Sequence, residues 1–145
     1  MSALTAPLTG DELLVAVTEA MVALHRRYHH RAPVTGKTLL LGGELLVCVL
    51  GGVYTDVEKT MIEMQRTTIV QEIRSAFQDA MQHKFIAVVE RLSGRTVLMF
   101  ISNSHVGPDL EVTVTRVIDR PPAHQLTLAE LEPKAAESQA GARHR

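Results

Sequence analysis

The sequence predicts an α+β domain in which helix, hairpin, helix and hairpin follow one another and build a four-stranded, mainly antiparallel sheet. Two observations carry this. Apolar residues recur every three or four positions in Leu13, Val17, Met21, Leu24 and Tyr28, and again in Ile69, Ile73, Phe77, Met81, Phe85, Val88 and Leu92, the period of a buried helical stripe. Each stripe is followed by two short apolar runs joined by a turn, around Gly42-Gly43 in one case and around Ser102 to Asp109 in the other.

The first helix opens at Thr9 and Glu12, which have the spacing of a capping box, and stops before Pro33. Leu39 and Leu41 then fall in one strand and Leu45 to Leu50 in the next, with the glycine pair permitting a tight turn between them. A second capping-box pair, Thr55 and Glu58, starts a short helical segment through Val57, Met61 and Met64. The stripe slips at Arg66-Thr67-Thr68, so two helices or one bent helix cover this stretch, and Gly94 stands where a left-handed residue closes a helix.

Val97 to Ile101 is apolar at every position, as expected of a strand covered on both faces. Leu110, Val112 and Val114 alternate with Glu111, Thr113 and Thr115, which gives the last strand one more solvated face. The folded domain is expected over 9–119. From 120 to 145, proline, alanine, glutamine and charge dominate without a sustained stripe, and a mobile tail is expected. Two helices cover one face of a sheet whose strands read as apolar on both. A homodimer resolves the mismatch.

Bulk properties exclude several function classes. At 145 residues the chain fits one domain, and a net charge of −1 supplies no field to hold nucleic acid or an anionic membrane. Aromatic residues make up only 3%, too few for a base-stacking platform. The single cysteine, Cys48, allows no internal disulfide, and the N-terminus lacks the basic and apolar regions of a signal peptide, so a cytoplasmic location is expected. Leu39 to Leu50, the longest apolar stretch, is too short to span a bilayer, so direct membrane insertion is not expected.

No motif of established chemistry is present. Gly36-Lys37-Thr38 has the letters of a phosphate-binding loop but lacks its first glycine, and it lies between a helix and a strand in the wrong order. In the run His25 to Arg31, His25 and His29 are one helical turn apart, but no further metal ligands accompany them and three arginines repel a cation. A solvated, basic helix end is the expected role. Arg74 and Arg95 likewise read as solvated charges. Nothing calls for a metal or another cofactor, and no residue is assigned to catalysis. The candidate binding residues are Lys37, Arg95, Ser102, Asn103, His105 and Asp109, most of them gathered in the last turn. There His105 can exchange a proton near neutral pH and Asp109 can orient it. Serine, asparagine, glycine, proline and aspartate are equally the residues that turns select for backbone reasons.

The segments PVTGKTLLLGGELLVCVLGGVYTDVEKTM, IVQEIRSAFQDAM and KFIAVVERLSGRTVLMFISNSHVGPDLEV together resemble the MpsC-like (YbcI-like) family of small bacterial proteins. The likeness runs from Asp11 to Ile118. Its most recognisable parts are the turn Leu92–Arg95 and the connection formed by Ser102 with His105 to Asp109, supported by Lys37 and by Arg74–Gln78. Gly42-Gly43 departs from the more polar turn associated with the family. The resemblance implies a link to a sodium-translocating, membrane-potential-generating system, and hence a membrane transport protein as a partner. It assigns no role to the matching positions Lys37, Arg95, Ser102, His105 and Asp109. The function expected is that of a non-enzymatic binding or regulatory domain, an accessory subunit of such a system. A small-anion-binding protein or small enzyme is the alternative, which requires His105, Asp109 and Lys37 to converge.

Overall fold

A computed structural model describes residues 6–119, so the tail expected at 120–145 lies outside the described residues. Three helices and four strands follow in the order α1 (Gly10–Tyr28), β1 (Thr35–Leu41), β2 (Leu45–Gly51), α2 (Asp56–Glu63), α3 (Thr67–Ser93), β3 (Arg95–His105) and β4 (Leu110–Asp119). The strands form one antiparallel sheet in the order β1-β2-β4-β3. This is the α+β architecture that the two helix-then-hairpin units predict. Among the described residues, no helix is long and apolar enough to cross a membrane.

Local signals explain most boundaries. Leu41 pairs with Leu45, and Gly42 and Gly43 between them both take positive φ, as the tight hairpin requires. Thr55 and Glu58 form the complete capping box that starts α2. Thr9 is the N-cap of α1, but its side chain makes no capping hydrogen bond; the α1 box is absent. The slipped stripe resolves as two helices, broken where Gln65 takes a φ of 61°. Gly94 closes α3 with a φ of 66°, and a Cβ there would lie 2.5 Å from Pro7 Cγ.

The core lies between the helices and one face of the sheet, where Leu13, Val17 and Met21 of α1 meet Leu46, Cys48 and Leu50 of β2 and Met81, Phe85 and Val89 of α3. Two parts of this layer are polar. On β4 the residues turned inward are Glu111, Thr113, Thr115 and Val117, while Val112 and Val114 are on the opposite face. On the first half of α3 the buried positions are Val70, Arg74 and Gln78, and Ile69 and Ile73 are exposed. Both segments therefore sit with the less apolar side in, the reverse of what hydrophobic patterning selects.

The outer face consequently carries an apolar band. Register places Leu39, Val47, Val114 and Ile101 in one row across all four strands. Leu41, Leu45 and Met99 adjoin it on one side and Val49 and Val112 on the other. Leu39 is 43% exposed, Leu41 50% and Ile101 53%, so β3 is covered on one face within this chain, and not on both as its unbroken apolar run suggests.

Replacing Gly94 by alanine forces a left-handed residue with a Cβ against Pro7, and is expected to destabilise the fold by about 1–2 kcal/mol, read as a lower urea midpoint at unchanged m-value.

Candidate functional site

The densest chemistry is a buried polar cluster centred on Glu111. The inward register of β4 puts its carboxylate under both long helices. α1 contributes His25, which follows Met21 on the buried stripe, and α3 contributes Arg74 and Gln78, one turn apart. His25 Nε2 pairs with Glu111 Oε2, while Arg74 Nη2 and Gln78 Nε2 donate to Glu111 Oε1 at 3.3 Å and 3.0 Å. The other imidazole nitrogen, Nδ1, donates to the Met21 carbonyl at 2.8 Å, because a carbonyl only accepts. His25 stacks on Phe85 at 5.7 Å between ring centroids. His25 and Arg74 are each 1% exposed and Glu111 is 2% exposed, so no solvent reaches the ion pairs.

A second tier adjoins the first. His29, one turn beyond His25, lies 3.1 Å from Glu58 Oε1, the same oxygen that accepts from the Thr55 amide in the α2 capping box. Arg74 sits over the Tyr54 ring at 5.3 Å, and its Nη1 is 3.8 Å from Asp109 Oδ1. Burial pushes the Glu111 carboxyl up, but the hydrogen bond and charge of His25, with Arg74 and Gln78, outweigh it and hold the group below the usual carboxylate range. At Glu58, burial is likewise outweighed, by His29, the Thr55 amide and the charge of Arg74.

The β3–β4 turn is anchored from beneath by this cluster. Asp109 Oδ2 accepts from the Tyr54 amide at 2.8 Å, and the Tyr54 hydroxyl donates to the His105 carbonyl at 3.2 Å while accepting from the Gly107 amide at 3.3 Å. Burial raises the Tyr54 phenol, which the Gly107 amide partly offsets. Gly107 takes a φ of 143°, a backbone conformation that L side chains rarely adopt, and a Cβ there would crowd His105 Cε1 at 3.0 Å.

The six candidate residues fall in separate places. Asp109 is turned under the hairpin toward Arg74 and the Tyr54 amide. His105 is exposed and lines an open hollow of about 510 Å³ with Asn103, Pro108 and Leu110. Asn103 and Lys37 lie in one cross-strand row but at opposite edges of the sheet, about 14 Å apart at the usual strand spacing. Ser102 pairs in register with inward-facing Thr113. Arg95 is at the far end of β3, donating to the Gly43 and Val117 carbonyls and pairing with Asp119 at 3.2 Å. His105, Asp109 and Lys37 do not converge.

Two charges expected in solvent are core residues instead. His25 is a buried partner of Glu111 rather than part of a solvated helix end, and Arg74 is the other. The only signal for either is spacing: His25 continues the Leu13, Val17, Met21 series at four-residue steps, and Arg74 and Gln78 continue Val70 in the same way. Among the described residues no group of three His, Cys, Asp or Glu side chains is placed to hold a metal ion.

Residues 9–118 match the protein family described as Na+-translocating membrane potential-generating system (MpsC). The chain belongs to the MpsC family. No curated protein and no solved structure matches it. For this MpsC member, the matched region takes in every described helix and all but the last residue of the sheet.

The two depressed carboxylates set the acid limb of stability. Because their folded-state values lie below the unfolded one, about 4.3, their contribution is fully present above that pH and is lost as pH falls through the folded values. Urea melts from pH 7 to pH 2 are expected to show a midpoint that holds to about pH 5 and then drops. Glu58→Gln should flatten that drop, and Arg74→Met should cost about 3–5 kcal/mol at pH 7 by leaving Glu111 without its guanidinium partner.

Proposed function

We propose that this chain is a non-enzymatic accessory domain of a sodium-translocating, membrane-potential-generating system, acting as a homodimer joined through its outer sheet face. The observation that carries the reading is the apolar band on that face. Four strands about 4.8 Å apart and seven residues of about 3.4 Å each give a face of about 19 by 24 Å, or about 450 Å² in projection. Side-chain relief raises the accessible area toward the ~800 Å² that each partner of a standard interface contributes. Its layout supports the reading: the row Leu39, Val47, Val114 and Ile101 is flanked by Lys37 and Asn103 at one end and by Arg116 with Glu44 at the other.

A binding role rather than catalysis is favoured because the most concentrated polar chemistry is sealed in the core, where it holds α1 and α3 on β4. The tie to sodium translocation comes from family membership. A chain whose described helices are all too short or too polar to span a bilayer serves such a system from its membrane partner's surface.

Native mass spectrometry at micromolar concentration is expected to give twice the 15.9 kDa of one chain, and Ile101→Glu, at a position exposed in the single chain, to give one chain mass with unchanged circular dichroism. Membrane vesicles from cells lacking the chain should develop a reduced sodium-dependent potential that added wild-type protein restores and the Ile101→Glu variant does not. A monomeric wild type, or a potential indifferent to the chain, overturns the reading.

A further inference from the structure

The sheet has two edges among the described residues, β1 and β3, and they differ. The β3 edge carries a register shift between Val97 and Met99, and its Val97 amide donates to Glu90 Oε2 at 3.0 Å. A bulge and a capped amide both blunt an edge against strand addition. β1 has neither: it keeps regular register from Thr35 to Leu41 and contains no proline, and its one charge, Lys37, is at an outer-face register position.

Beside this regular edge runs a hollow of about 570 Å³ between β1 and α1. Gly36 and Thr38 line the β1 side, with Lys37 and Leu39 at its outer rim, and Asp11, Val15 and Glu19 line the α1 side. Asp11, Val15 and Glu19 follow at four-residue steps and so share one flank of the helix. Asp11 and Glu19 are exposed and about 12 Å apart along the axis, while Val15 between them is 57% exposed. A strand lying along β1 advances about 14 Å over four residues and presents residues i, i+2 and i+4 to the same side.

We propose that the β1 edge takes up an extended segment of a second protein as a fifth strand, with basic side chains four residues apart against Asp11 and Glu19 and an apolar side chain between them against Val15. Main-chain hydrogen bonds to β1 supply sequence-independent affinity and the α1 flank supplies selectivity, the usual division in strand addition. A second copy of this chain does not fit, because β1-to-β1 pairing brings the acidic flanks of two α1 helices toward each other. The chemistry of the segment rests on the groove alone. Its source, a lysine- and arginine-rich loop on the cytoplasmic side of a membrane protein, rests on the accessory role proposed above.

The test uses the full chain and the fluorescein-labelled peptide SKTVTKS, followed by fluorescence anisotropy and by hydrogen exchange of β1. Saturable binding is expected, weakened by added salt and accompanied by slower exchange of β1 amides. Glu19→Lys, an exposed mid-helix change that leaves the fold intact, should weaken it about tenfold by turning attraction into repulsion. The Ile101→Glu variant should bind as wild type, so failure of the dimer and failure of the groove are separable. No saturation, equal binding of the peptide SETVTES, an unchanged affinity in Glu19→Lys, or protection confined to β3 or the outer face each overturns the proposal.

Discussion

Glu111 with His25, Arg74 and Gln78 is the constraint on which the rest of the structure depends. A carboxylate removed from water costs several kcal/mol unless its lone pairs are met by donors of good geometry, and here one oxygen faces an imidazole while the other accepts from a guanidinium and an amide. Those donors come from two helices that are far apart in sequence. The ion cluster therefore does more than neutralise a charge: it specifies which turn of α1 and which turn of α3 stand over β4. Slipping β4 by one residue would carry Glu111 to the open face and leave Arg74 buried without its nearest partner.

The outer face follows from this choice. With Glu111, Thr113 and Thr115 turned in, period-two geometry obliges Val112 and Val114 to turn out, beside Val47 and Val49 of β2. The same logic acts on α3, where burial of Arg74 and Gln78 rotates Ile69 and Ile73 toward solvent. Hydrophobic transfer alone, at about 25 cal/mol per Å², favours the opposite assignment for both segments. The apolar surface is thus the counterpart of a polar core. That coupling supports the view of the outer face as an association surface, because a sequence shaped only for a lone soluble domain has no reason to spend its apolar residues there.

Element order and type were legible because they depend on local signals: the helical stripe through Leu13, Val17 and Met21, the Gly42-Gly43 turn, the Thr55–Glu58 cap and the Gly94 stop all act within a few residues. Which face of β4 is buried was not legible, since it is decided by residues 86 and 37 positions away in the chain. The sequence around His25 and Arg74 looks solvated for the same reason. A charged residue at the next step of an apolar stripe looks like the end of the stripe until its partner is known. The tight grouping of Ser102, Asn103, His105 and Asp109 in sequence is not kept in space, because successive strand and turn residues alternate in direction.

The hairpin turn shows how one short motif divides between scaffold and surface. Asp109 and the Tyr54 hydroxyl hold three backbone groups of the turn and of the segment before α2, so Asp109 is bonded into the scaffold of the turn. Gly107 lets the imidazole of His105 lie over the turn, next to the Pro108 carbonyl at 3.4 Å. With its base held from below by the Arg74 cluster and its imidazole outside, the turn carries information from the core only as position. The turn therefore marks the end of the outer sheet face, where Leu110 and Val112 continue the apolar band and His105 and Asn103 border it with polar side chains.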